Sequence, residues 1–173
     1  MRRALLALVI LAACSSDPNV QPVDAAAGLD AYDTARCLIT GHYGNLGATT
    51  GTPTLGPTTL SVVLDPGPPR DTFFLKLNDG NGVFAGGLAN GTYPLTGAEL
   101  DFNNCGVCVN IIADIGMQGP TKFYFATAGS VTLTGTSPPA GTLSDVTLTE
   151  VTSTGTPVPS GCTASITAMS FSM

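Results

Sequence analysis

Alternation is the property of this chain that most narrows its fold. Apolar residues recur at every second position in short runs, and Gly, Pro, Asn and Asp separate the runs. In Thr59–Asp65, Leu60, Val62 and Leu64 share one face. In Thr72–Asn78, Phe73, Leu75 and Leu77 share one face and Lys76 lies on the other. Cys108–Ile115 places Val109, Ile111, Ala113 and Ile115 together, with Asn110 and Asp114 opposite. Side chains of an extended strand point alternately to its two faces, so each run reads as a half-buried strand.

Further runs of the same kind are Cys37–Thr40, Val83–Ala85, Thr92–Leu95, Glu99–Phe102, Lys122–Ala126, Ser130–Thr134 and Val146–Thr149. Pro94 has no N–H to donate, which marks its strand as an edge. Asn78-Asp79-Gly80-Asn81-Gly82 reads as a hairpin turn between Thr72–Asn78 and Val83–Ala85. In the C-terminal run Ala164, Ile166 and Ala168 alternate, and then Met169, Phe171 and Met173 do. A one-residue bulge would produce that change of parity. About nine short strands at near-regular spacing predict an all-β fold, an antiparallel β-sandwich over residues 35–173. A small barrel is the alternative architecture.

The N-terminus is of another kind. Arg2 and Arg3 precede ten apolar residues, Ala4–Ala13. A membrane-crossing helix needs about 20 apolar residues, so this run reads as the core of an export signal. It ends Leu11-Ala12-Ala13-Cys14. That tetrapeptide, behind a basic start and a short apolar run, resembles the lipobox of bacterial lipoproteins. The resemblance covers the first fourteen residues. It implies a diacylglyceryl group on the Cys14 sulfur, cleavage after residue 13, and acyl (palmitate-type) chains that hold the protein to a membrane. Ser15 in place of Asp resembles the pattern of outer-membrane proteins, facing the periplasm or the cell surface. Residues 14–34 then read as a lipidated flexible linker, with a short helix over Asp24–Ala35 as one option.

Without residues 1–13 the chain keeps four basic residues (Arg36, Arg70, Lys76, Lys122) against twelve acidic ones, a net charge of −8. Nucleic acids and anionic membrane surfaces both need clustered Lys and Arg, so neither is an expected partner. An envelope protein or a glycan is the kind of partner left open.

With Cys14 lipidated, Cys37, Cys105, Cys108 and Cys162 remain. An even number in an exported chain predicts two disulfides, with three possible connectivities. The expected pairing is Cys105–Cys108, because Asn103-Asn104-Cys105-Gly106 reads as a turn, and Cys37–Cys162, joining the first strand to the last. On the chain-entropy model the longer loop, about 126 residues, contributes roughly 5 kcal/mol and the short one roughly 2 kcal/mol.

The chemical alternatives are thin. Cys105-x-x-Cys108 as a redox site would need a following helix, and a β-periodic run follows instead. A zinc site would need a second ligand pair, for which the chain offers Cys37, Cys162 and the lone His42. His42 would have to serve any Ser-His-Asp hydrolase mechanism, and no Gly-x-Ser-x-Gly elbow is present. Asp101 and Asp114 could form a carboxylate pair, against the simpler reading of two solvated strand positions. Residues 78–82 lack the alternating acids and distal Glu of a calcium loop. No catalytic residue, cofactor or metal is therefore expected. The sequence favours a non-catalytic binding or structural domain. A lipocalin-like carrier of a small apolar ligand is the runner-up, although a chain without Trp has no Gly-x-Trp signature.

Overall fold

The computed structural model describes residues 42–50, 52–53, 58–66 and 69–173, with side chains from Thr58 onward except that of Asp65. Its strands are β1 (His42–Thr50), β2 (Thr52–Pro53), β3 (Thr59–Asp65), β4 (Arg70–Leu77), β5 (Gly91–Pro94), β6 (Val107–Ile115), β7 (Lys122–Thr136), β8 (Pro139–Val151) and β9 (Thr163–Ser172). Two single-turn 3₁₀ helices, Gly82–Phe84 and Gly97–Leu100, interrupt them.

The nine strands among the described residues join one hydrogen-bonded sheet in the order β1-β9-β8-β7-β6-β4-β3-β2, with β5 added to β7. The pairing is antiparallel except between β1 and β9. The sheet curls into a half-barrel. Its concave face carries the main core, in which Leu60, Phe73, Leu75, Val109, Ile111, Tyr124, Val131, Leu143, Leu148 and Ile166 all pack together. The alternation read in β3, β4 and β6 is the alternation of this face.

β7 decides the curvature. Its first half pairs with β6 (Phe125 opposite Asn110) and its second half with β5 (Val131 opposite Tyr93). Between the halves, the β7–β8 ladder shifts register on both sides of Ala128. Gly129 sits there at φ +117°, and a Cβ on it would lie 2.7 Å from Val146 Cα and 2.9 Å from the Asp145 carbonyl oxygen. Asp145, across the hairpin, has φ +52°.

The inward face changes parity at this level in three strands together. It passes from Tyr124 and Ala126 to Val131 and Leu133 in β7, and from Leu143 to Val146 and Leu148 in β8. In β9 it passes from Ala164 and Ile166 to Met169 and Phe171. The β8–β9 ladder keeps one register throughout. The C-terminal parity change is therefore not a bulge of β9 against β8. It belongs to a shared bend, set where β7 and β8 leave their regular pairing.

Several expectations need correction. Lys122–Ala126 and Ser130–Thr134 are halves of the single strand β7. Val83–Ala85 and Glu99–Phe102 are not strands, since 3₁₀ turns occupy Gly82–Phe84 and Gly97–Leu100. Residues 78–82 do turn the chain, but β4 pairs with β3 and β6, so no hairpin joins it to the next segment. The reason is that 3₁₀ turns bury Phe84 and Glu99, and in Glu99–Phe102 they invert the alternation, with Glu99 inside and Leu100 exposed. The run Cys37–Thr40, the linker and Asp24–Ala35 lie outside the described residues.

The bend makes a direct prediction. Gly129→Ala should cost more than about 1 kcal/mol of stability, because it forces a Cβ against the facing backbone at a left-handed φ. Gly86, with open space around its Cα and no positive φ, should accept Ala within about 0.5 kcal/mol. Urea midpoints of the two variants decide; equal midpoints would remove the bend from the account.

Candidate functional site

The end of the sheet where β4 finishes and β6 begins is built around a disulfide. Cys105 and Cys108 are joined across a Cα–Cα distance of 5.4 Å. The turn ahead of Cys105 takes it off the strand, as expected, so the two residues need not point to opposite faces. Both are buried, at 0 % and 5 % exposure. They pack with Phe125 and Val151 on the face of the sheet opposite the main core, with Phe102 and Phe123 at the margin. Phe102 meets Phe125 edge to face at 5.3 Å.

Side chains from two neighbouring segments fasten this loop. Asn78 donates its N–H to the Gly106 carbonyl at 2.7 Å. Its side-chain amide donates to the Cys105 carbonyl at 2.9 Å and lies 3.0 Å from Cys108 Sγ. Glu99, fully buried, accepts the Val83 N–H at 2.8 Å on Oε1 and the Val107 N–H at 2.5 Å on Oε2. One carboxylate thus satisfies donors at the start of a 3₁₀ turn and at the start of β6. Gly106 allows the approach: a Cβ there would meet the Asn81 carbonyl oxygen at 2.5 Å.

Asp101 opens the loop. Its carboxylate accepts the Asn104 side-chain N–H at 2.7 Å and the Asn103 backbone N–H at 2.9 Å. The Asn104 hydrogen bond, followed by that from Asn103, holds the exposed carboxyl below its ordinary value of 3.8.

Asp114 lies near the far end of β6. The seven residues from Val107 to Asp114 advance roughly 23 Å at strand rise, so Asp101 and Asp114 form no carboxylate pair. Asp114 is not a solvated position either. It is buried at φ +53°, and its Oδ2 lies 3.0 Å from Lys122 Nζ. Its N–H donates to Asp71 Oδ1 at 2.9 Å. The left-handed backbone at Asp114 breaks the alternation and turns the side chain toward Lys122.

His42 begins β1, opposite Ser165; its side chain lies outside the described ones. Cys162 is buried and disulfide-bonded, but Cys37, the expected partner, lies outside the described residues, as does Cys14. Among the described residues no group of three His, Cys, Asp or Glu is placed to hold a metal ion. A surface depression of about 180 Å³ opens at the β8–β9 bend, lined by Asp145, Thr147, Ser165 and Thr167 over Val146 and Ile166. One carboxylate and three hydroxyls there suit hydrogen bonding to a polar ligand.

The sequence reading missed Glu99, Asn78 and the Asp71–Asp114–Lys122 cluster. Glu99 stood in what looked like a strand, and nothing local distinguishes a carboxylate that accepts backbone donors from a solvated one. A weak signal was present in Gly82 and Gly106, two glycines close to a turn and to a paired cysteine.

A pH titration tests the Asp101 turn. Because its folded pKa is depressed, the turn's contribution is complete above the ordinary carboxylate value and is lost as pH falls through the folded one. Nuclear magnetic resonance shifts of the Asn103 N–H and the Asn104 side-chain amide should titrate with a midpoint below 3.8. A midpoint at or above that value would contradict the hydrogen-bonded turn.

Set beside known proteins, the chain matches no family model, no curated protein and no solved structure.

Proposed function

We propose that this chain is a bacterial envelope lipoprotein, held through acyl chains on Cys14 to the outer membrane, whose β domain binds a partner or serves a structural role without catalysis. The observation that carries the reading is Leu11-Ala12-Ala13-Cys14 behind Arg2, Arg3 and a short apolar run.

Two features of the domain bear on the alternatives to this reading. Core side chains such as Leu60, Phe73, Leu75, Val109, Ile111, Tyr124, Leu143 and Leu148 are 0 % exposed. A cavity large enough for a small apolar ligand would expose such side chains to a water-sized probe, so this packing favours a surface-binding domain over a lipocalin-like carrier. The Cys105–Cys108 pair is closed and covered, which suits a staple better than a redox centre. For the architecture, we read the β-sandwich as this curled sheet folded over its own apolar face, with the Gly129 bend as the supporting feature. The polar depression beside Asp145 suits the hydroxyls of a glycan or the backbone of an envelope protein.

The anchor is tested with the native protein and Cys14→Ala. Native protein should enter the detergent phase and yield an acylated N-terminal peptide by mass spectrometry, and Cys14→Ala should do neither. The same digest without reduction should contain a peptide linking Cys37 to Cys162. An unmodified Cys14 in native protein would sink the lipoprotein reading; Cys162 joined elsewhere would sink the pairing.

A further inference from the structure

The two ends of the sheet present different surfaces, and the difference bears on how the domain meets its membrane. β1 starts at His42 beside Ser165, near the start of β9. Through the β9, β8 and β7 ladders His42 stands level with Ala128, at the bend. Arg70 pairs with Ile115, which brings the β3–β4 connection to the end of the sheet where β6 turns into β7.

Met117 stands at the tip of the β6–β7 turn, between Gly116 and Gly119, at 102 % exposure. Near it, Val63 is 51 % exposed, Pro66, Pro69 and Pro120 are exposed, and Ile115 is half-buried. Among residues whose side chains are described, the exposed charge at this end is Arg70; Asp71, Asp114 and Lys122 are buried, and the side chain of Asp65, opposite Asp71, lies outside the described ones. The opposite end also carries exposed apolar groups, Val83 and Leu100, but they sit among exposed Asp79 and Asp101. Carboxylates resist the low-dielectric boundary of a bilayer, where a thioether and prolines do not.

We propose that the Gly116–Gly119 tip seats Met117 in the headgroup–acyl boundary of the bilayer that holds Cys14. The proposal rests on the lipid-anchor reading. Residues 14–41 could span at most about 100 Å, so the tether lets either end reach the surface and the surfaces decide which end does. A single exposed Met and a few prolines form a contact too weak to recruit a free protein. Tethering to the same bilayer raises the effective concentration to the order of millimolar, at which a weak contact is populated. The net negative charge of the domain disfavours its lying broadside on the membrane, which leaves end-on contact.

The absence of Trp from the chain supplies the probe. Acylated Met117→Trp and Leu100→Trp are each reconstituted into phosphatidylcholine vesicles with brominated acyl chains. Both should float with the vesicles. Met117→Trp emission should be blue-shifted and quenched by bromine, and Leu100→Trp emission should be neither. Solvent-like, unquenched Met117→Trp in protein that floats would overturn the tip contact and leave the anchor standing. Equal quenching at both positions would overturn it too, since the introduced ring would then be the cause. Failure to float would refute the anchor, and the tip contact with it.

Discussion

The domain depends on one strand serving two neighbours. β7 gives its first half to β6 and its second to β5, while β8 follows it along its length. Its inner face stays on the core in both halves, although the two halves expose opposite parities of residue to it. The register shifts around Ala128, Gly129 at φ +117° and Asp145 at φ +52° supply the needed change of direction. Bulges increase local twist and re-aim side chains, and here Tyr124 and Ala126 hand the core over to Val131 and Leu133. β9 copies the change through an unbroken ladder with β8. Bending the sheet lets one set of strands cover its own apolar face, so a chain with two single-turn 3₁₀ helices and no other helix among the described residues still buries a core.

Buried polar groups hold the two ends of that core by different means. At the disulfide end, Glu99 accepts two backbone N–H groups from separate segments. A buried donor left without a partner costs about 1–3 kcal/mol, so Glu99 fixes where the 3₁₀ turn meets β6. At the other end, Asp114 faces Lys122, and its own N–H goes to Asp71. A buried ion pair is weak evidence for stability, because desolvation offsets much of its attraction. Its clearer consequence is positional: it fixes the end of β6 against the start of β7, on either side of the exposed tip.

Alternation made much of this legible. Residues Leu60, Phe73, Leu75, Val109, Ile111 and Ala113 were readable as one face because period two is a local property, and Pro94 announced an edge strand by its missing donor. The Asn-rich stretch before Cys105 announced the turn that lets Cys105 reach Cys108. Other features depend on partners distant in sequence. The parity change after Ala168 was visible, but its origin lies in Gly129 and Asp145, which meet only across the β7–β8 hairpin. Phe84 and Glu99 are buried by 3₁₀ turns, with Leu100 exposed where a strand would bury it, and runs of three or four residues do not separate a strand from a 3₁₀ turn. Asp114 looked like a polar outward position because its left-handed backbone leaves no mark in a pattern of apolar residues.

Native-state hydrogen exchange tests the dependence on β7 most directly. If β7 and β8 form one cooperative unit through their bend, the most protected backbone amides should include both halves, Phe123–Ala126 with Val131–Leu133, and Leu143 with Leu148, all opening with the same free energy. Two distinct opening free energies for the halves of β7, or a most-protected set confined to β3 and β4, would contradict the account.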